Sequence, residues 1–141
     1  MAKKARLPKV IIDFISTHHG TTRTEFFYRK QLAEFPNQEF DESLFVYPGP
    51  EPTSKEETIM MLADSLEAAS KSLQNPTGKD IDELVDKIVK GKVKNKQLIK
   101  SELSYDELER CKAVFKNLLR SIYHVRMEYP EEVKGAATNQ A

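Results

Sequence analysis

The stretch Leu7-Pro8-Lys9-Val10-Ile11-Ile12-Asp13-Phe14-Ile15-Ser16-Thr17-His18-His19-Gly20-Thr21 sets Val10, Ile11, Phe14 and Ile15 at helical spacing. Pro8 suits a first-turn position, where no amide donor is needed. Gly20 can take the left-handed backbone conformation that commonly closes a helix, which would put His18 and His19 in the last turn or just beyond it. A second helix is predicted from Thr22 or Thr24 to Glu34, with Phe26, Phe27 and Leu32 facing inward, stopped by Pro36-Asn37. From there to Thr53 the chain reads as irregular. Pro36, Pro48, Pro50 and Pro52, with the block Tyr47-Pro48-Gly49-Pro50, predict a rigid extended loop long enough to carry a function of its own. Phe40, Phe45 and Tyr47 are the residues expected to pin it to the body of the protein.

Ser54-Lys55-Glu56-Glu57 is a capping box, so a helix should begin there, with Ile59, Leu62, Leu66, Ala69 and Leu73 as its apolar stripe. Asn75-Pro76-Thr77-Gly78 breaks it, and Ile81, Leu84, Val85, Ile88 and Val89 define the next helix, up to about Gly91. A second box, Ser104-Tyr105-Asp106-Glu107, opens a helix with Leu108, Cys111, Val114, Phe115, Leu118, Leu119 and Ile122 inside. After Pro130 no periodicity is left, and this tail is expected to be disordered. With no internal repeat and no alternating strand pattern, the expected fold is all-α.

The 141 residues amount to one domain, and 39% hydrophobic with 31% charged residues fits a soluble, helix-rich chain. Lys plus Arg total 22, as do Asp plus Glu, so a strongly basic nucleic-acid binder is disfavoured and neither DNA nor RNA is expected as a partner. A single cysteine, Cys111, rules out a disulfide framework and a Cys-based zinc site and points to a reducing compartment. No stretch approaches the roughly 20 apolar residues of a membrane span. The basic start is followed by an apolar run interrupted by Pro8, Lys9 and Asp13, so it does not read as a secretion signal. Taken alone, residues 1–141 are expected to be cytoplasmic.

Two groups invite chemistry. His18 and His19 are adjacent, and His124 is the only other histidine, which suggests metal binding. The competing explanation is a helix C-terminus that simply favours partial positive charge. Adjacent helical residues diverge by about 100°, so both reach one place only if the helix frays there, as Gly20 allows. Asp64 is the second group, since on its helix it neighbours Met60, Met61 and Ala68 as well as Glu67. A carboxylate on a largely apolar face needs a cation, a donor or a metal, unless it is merely a half-exposed residue at the edge of the stripe. Glu67 is expected to pair with Lys71, and Asp13 is assigned no role. Lys87, Lys90, Lys92, Lys94 and Lys96 form a basic run that reads as a solvated face, because it lacks aromatic stacking residues. Cys111 reads as buried packing and His124 as structural. There is no phosphate-cradling glycine loop and no serine nucleophile elbow.

Together these pieces are more specific than apart. Leu7 to Thr21, Phe27-Tyr28, Tyr47-Pro48-Gly49-Pro50 and Met61-Leu62-Ala63-Asp64-Ser65-Leu66-Glu67-Ala68-Ala69, followed by Ile122-Tyr123-His124 and Glu128-Tyr129-Pro130, resemble the membrane-associated HD-domain phosphohydrolases. Within these, the chain is similar to the seven-pass receptor-like branch whose cytoplasmic domain hydrolyses cyclic di-AMP. The resemblance implies two divalent metal ions, iron or manganese. By matching motif, His18 and His19 serve the second ion and Asp64 the first. It also implies metal-assisted hydrolysis, with a metal-activated water attacking phosphorus in line with the leaving ribose oxygen. Thr21, Tyr28, Lys30 and Tyr47 are candidate substrate-wall residues. Glu51 stands where many relatives carry a basic residue, which weakens phosphate binding by that loop.

The family's first His and its His-Asp pair are expected upstream of Leu7, where only six residues stand. Residues 1–130 therefore read as the C-terminal portion of such a domain, with 131–141 as tail, and any membrane attachment would lie in further upstream segments. This fragment is expected to bind metal poorly and catalyse little, and an uncovered apolar groove is expected to promote homo-oligomers or partial unfolding. The function implied is cyclic di-AMP hydrolysis to linear pApA. The alternatives are a non-catalytic helical module that binds nucleotide or a partner, and an HD hydrolase of another phosphoester.

Overall fold

A computed structural model describes residues 6–124, so the tail and Glu128-Tyr129-Pro130 lie outside the described residues. Five α-helices follow in order: α1 (Lys9–Thr17), α2 (Glu25–Glu34), α3 (Lys55–Ser70), α4 (Gly78–Lys94) and α5 (Tyr105–Ile122), with a short 3-10 helix, Glu42–Phe45, inside the proline-rich loop. Among the described residues β pairing is confined to one isolated antiparallel bridge, Arg23 to Val46. The all-α expectation holds.

Helix starts follow the local chemistry. Ser54 accepts from the Glu57 amide while Glu57 accepts from the Ser54 amide, and Ser104 and Glu107 do the same at α5. Thr77 and Asp80 form a third such box at α4, inside what the sequence marks only as a breaker. Each cap stabilises its helix by about 1 kcal/mol. α3, α4 and α5 enclose the core of Leu62, Leu66, Ile81, Val85, Val89 and Leu119, with Leu73, Ile88, Leu108, Phe115 and Tyr123 packed against it. Two ion-pair sets lace α4 to α5: Asp86 receives Lys112 and Lys116, each at 2.9 Å, and Asp82 receives Arg120 at 2.6 Å. The Tyr123 hydroxyl donates to the Ser70 carbonyl at 2.6 Å and ties the end of α5 to that of α3.

Several expected inward faces turn outward. Phe26 and Phe27 are 74% and 61% exposed, and Leu32 is also exposed. The reason is that α2 packs on the 3-10 segment and its loop through Tyr28, whose ring meets Phe40 and Phe45 edge-on at 5.8 Å, and it does not pack on the helical core. Val10, Ile11 and Ile15 on α1, Ile59 on α3, and Val114, Leu118 and Ile122 on α5 are likewise exposed. A helical apolar stripe can be wider than the neighbour that covers it. α4 runs past Gly91 to Lys94. Cys111 is half-buried, and burial raises its thiol pKa, which keeps it protonated and inert.

Candidate metal centre

α1 ends at Thr17, and His18 caps it with its amide bonded to the Phe14 carbonyl. Gly20 then turns the chain at φ +56°. A Cβ at this position would sit 2.4 Å from Gln97 Oε1 and 2.6 Å from Met61 Cε, so a side chain here would displace both side-chain ends as well as adopt a backbone conformation that glycine takes freely. The turn brings the two imidazoles together at 3.9 Å between ring centroids. α1 lies against α3, which carries Asp64, and His19 Nδ1 stands 3.5 Å from Asp64 Oδ2. The proline-rich loop returns over this turn: the Thr24 amide donates to Phe45 O at 2.7 Å and the Tyr47 amide to Thr22 O at 3.0 Å. These bonds lay the Tyr47 ring on the His19 ring, 4.1 Å apart and 23° from parallel.

The electrostatics favour a lone-pair donor. Burial lowers the His19 pKa, the His18 and Lys92 charges add to this, and the Asp64 charge opposes it, so His19 is neutral at pH 7. His18 Nδ1 lies 2.9 Å from the Phe14 carbonyl, the kind of backbone contact that fixes one ring nitrogen as N–H and leaves the other free. Lys92, in the last turn of α4, is the departure from the solvated basic run: burial lowers its pKa, and the Asp64 charge partly restores it.

The fit to a metal rests on His19 and Asp64. Donors at about 2.1 Å from a cation stand about 3.0–3.4 Å apart on adjoining positions, and paired ions stand about 3.5–4 Å apart. A separation of 3.5 Å therefore suits one ion or two adjoining ones. No group of three or more His, Cys, Asp or Glu side chains converges among the described residues. His18 and His19 adjoin as a pair, with Asp64 beside His19, and the three do not form a single convergent set.

Beside His19 lies a cleft of about 310 Å³ lined by Ile15, Ser16, His19, Gly20, Tyr47, Pro48 and Gly49. Of the candidate wall residues, Tyr47 is in it. Thr21 does not line it; its amide donates to Gln97 Oε1 at 2.9 Å and its hydroxyl lies 3.3 Å from Glu51. Tyr28 donates to Glu42 at 3.0 Å beneath the Arg23 guanidinium, and Lys30 faces Glu34 at 3.7 Å, so both are engaged elsewhere. Glu51 is held by Lys100 at 3.0 Å; its own backbone amide and then Lys100 lower its pKa. Sequence reasoning missed Gln97 and the burial of Lys92. Neither has a local signal, because Asp64, which acts on Lys92, lies on α3 and Thr21, which Gln97 holds, lies in the turn after α1.

No family model matches the chain. The chain is 38% identical over 134 residues to the cyclic-di-AMP phosphodiesterase PgpH of Bacillus subtilis, covering 95% of this chain and 19% of that protein. It is 35% identical over 130 residues to PgpH of Listeria monocytogenes, covering 92% and 18%. The crystal structure of the L. monocytogenes PgpH HD domain in complex with cyclic-di-AMP superposes with a TM-score of 0.81 at 34% identity, covering 91% of this chain and 59% of that one. A second structure of that HD domain gives 0.77 at 32% identity, with coverage of 87% and 56%. The chain has the fold of an HD domain. It is homologous to the HD domain of the phosphodiesterase PgpH, an enzyme, and spans about a fifth of the length of these curated relatives.

Proposed function

We propose that this chain contributes the histidine-turn part of a metal-dependent phosphodiesterase centre acting on a cyclic dinucleotide, cyclic di-AMP, with linear pApA as product. The observation that carries the proposal is His19 at 3.5 Å from Asp64, beside a cleft capped by Tyr47, in a chain homologous to the PgpH HD domain. Asp64 serves one divalent ion and His18 with His19 a second, iron or manganese. Bound ions of this kind act as Lewis acids on a phosphodiester and make water nucleophilic at neutral pH.

The chain's own residues bind and orient. His19 presents a neutral nitrogen, and Tyr47 stacked on it fixes the plane of its ring. Lys92 adds positive charge beside Asp64, where an anionic substrate approaches. The cleft walls of Ile15, Tyr47 and Pro48 offer apolar surface to a nucleoside. No helix among the described residues is long and apolar enough to cross a membrane, and a cytoplasmic setting is part of the proposal.

Cyclic di-AMP hydrolysis, assayed with Mn²⁺ or Fe²⁺ in the full-length protein, tests this. His19→Ala or Asp64→Ala should abolish turnover with helical content unchanged, and wild-type turnover in either would remove the site assignment. Preferential cleavage of a phosphomonoester would replace the substrate. A second reading, a helical module that binds nucleotide without turnover, is favoured by the absence of a third convergent donor among the described residues. Binding without hydrolysis in the same assay would establish it.

A further inference from the structure

Gln97 stands in the turn after α4 and is only 4% exposed, a buried amide in a small, mostly apolar interior. Buried side-chain amides must find partners, and those of Gln97 converge on one place. Its Oε1 accepts the Thr21 amide at 2.9 Å. Its Nε2 donates to the Thr21 hydroxyl oxygen at 3.0 Å and to the Asn95 carbonyl at 2.9 Å. The Gln97 amide in turn donates to the Lys92 carbonyl at 3.0 Å, and Lys96 at φ +57° reverses the chain to permit it. The bare Cα of Gly20 faces Gln97 Oε1 with no room for a side chain between them.

The end of α4 thus grips the backbone just after the two histidines, across 76 positions of sequence. An apolar side chain would fill the same space without the desolvation cost of an amide, so the choice of Gln is explained by what it holds. We propose that Gln97 is a positioning residue: it fixes the His18–Thr21 turn and through it the setting of His19 against Asp64. The role at the metal rests on the reading given under Proposed function; the hold on the turn does not.

The test uses the 141-residue chain as wild type, Gln97→Met, Gln97→Glu and, as a stability control, the core variant Val89→Ala. Two quantities are measured: hydrogen exchange of the Thr21 amide by NMR, and Mn²⁺ affinity by calorimetry. Gln97→Met keeps the volume and removes the hydrogen bonds. It should speed Thr21 exchange about tenfold or more beyond Val89→Ala and weaken Mn²⁺ binding about 10- to 100-fold. Gln97→Glu keeps an acceptor for the Thr21 amide and should retain its protection. Thr21 exchange in Gln97→Met no faster than in the control overturns the proposal, whatever the metal does. If Gln97→Met fails to fold, loss of Thr21 protection in Gln97→Glu overturns it and retention supports it. If the wild-type chain binds no Mn²⁺, the affinity comparison is made in the full-length protein, where equal affinity in Gln97→Met overturns the role at the metal, while the exchange data decide the hold on the turn.

Discussion

Gly20 concentrates the local constraints. Its φ of +56° costs an L side chain about 1–2 kcal/mol, and an added Cβ meets Gln97 Oε1 and Met61 Cε. Both atoms end flexible side chains and can retreat, but Gln97 does so only by releasing the Thr21 amide. Gly20→Ala is therefore expected to lower stability by about 2 kcal/mol or more in urea unfolding; a change within about 0.5 kcal/mol would contradict the described turn. At this scale the sequence was informative where the partner is near in the chain. Gly20 closing α1 and the Glu67–Lys71 pair at 2.8 Å were both legible. Gln97 and Lys92 were not, since their significance lies in the element that folding brings against them.

At the scale of elements, the entry to α5 couples a cap to a tertiary contact. Glu107 accepts from Lys55 at 2.5 Å and from the Ser104 amide at 2.9 Å, and Lys55 followed by these Ser104 contacts lowers its pKa from 4.5 to about 2. A carboxylate with a depressed folded-state pKa contributes stability that is fully present above about pH 4.5 and is lost as pH falls toward about 2. Glu107→Gln should thus be less stable than wild type at pH 6, and the gap should close between about pH 4.5 and 2; a gap independent of pH would exclude this linkage. The Ser54 and Ser104 boxes were readable because a Glu stands three residues on. The Thr77 box escaped because its third residue is Asp and it sits in an Asn-Pro-Thr-Gly stretch that reads as a turn. Periodicity also located α2 but not its partner, so Phe26 and Phe27 were placed inward.

For the whole molecule, one well-filled core under α3, α4 and α5 holds up a thinner layer of α1, α2 and the loop. The candidate centre lies where that layer meets α3, and the layer exposes Val10, Ile15, Phe26 and Phe27. Apolar surface left open on this scale favours association. We expect concentration-dependent self-association in sedimentation equilibrium, reduced in a Phe26→Ser, Phe27→Ser double variant; an unchanged monomer at all concentrations would refute it. The helical class was legible from spacing and caps, whereas the meeting of α1 with α3 is a long-range outcome that the motif resemblance implied and periodicity did not. The central claim is a divalent-cation site at the histidine turn, and its most direct test is paramagnetic broadening of the ¹⁵N-labelled chain by substoichiometric Mn²⁺. The amides of His18, His19, Asp64 and Tyr47 are expected to broaden first. Broadening that begins instead on the acidic face of α4, at Asp82 and Asp86, or none at millimolar Mn²⁺, would contradict it.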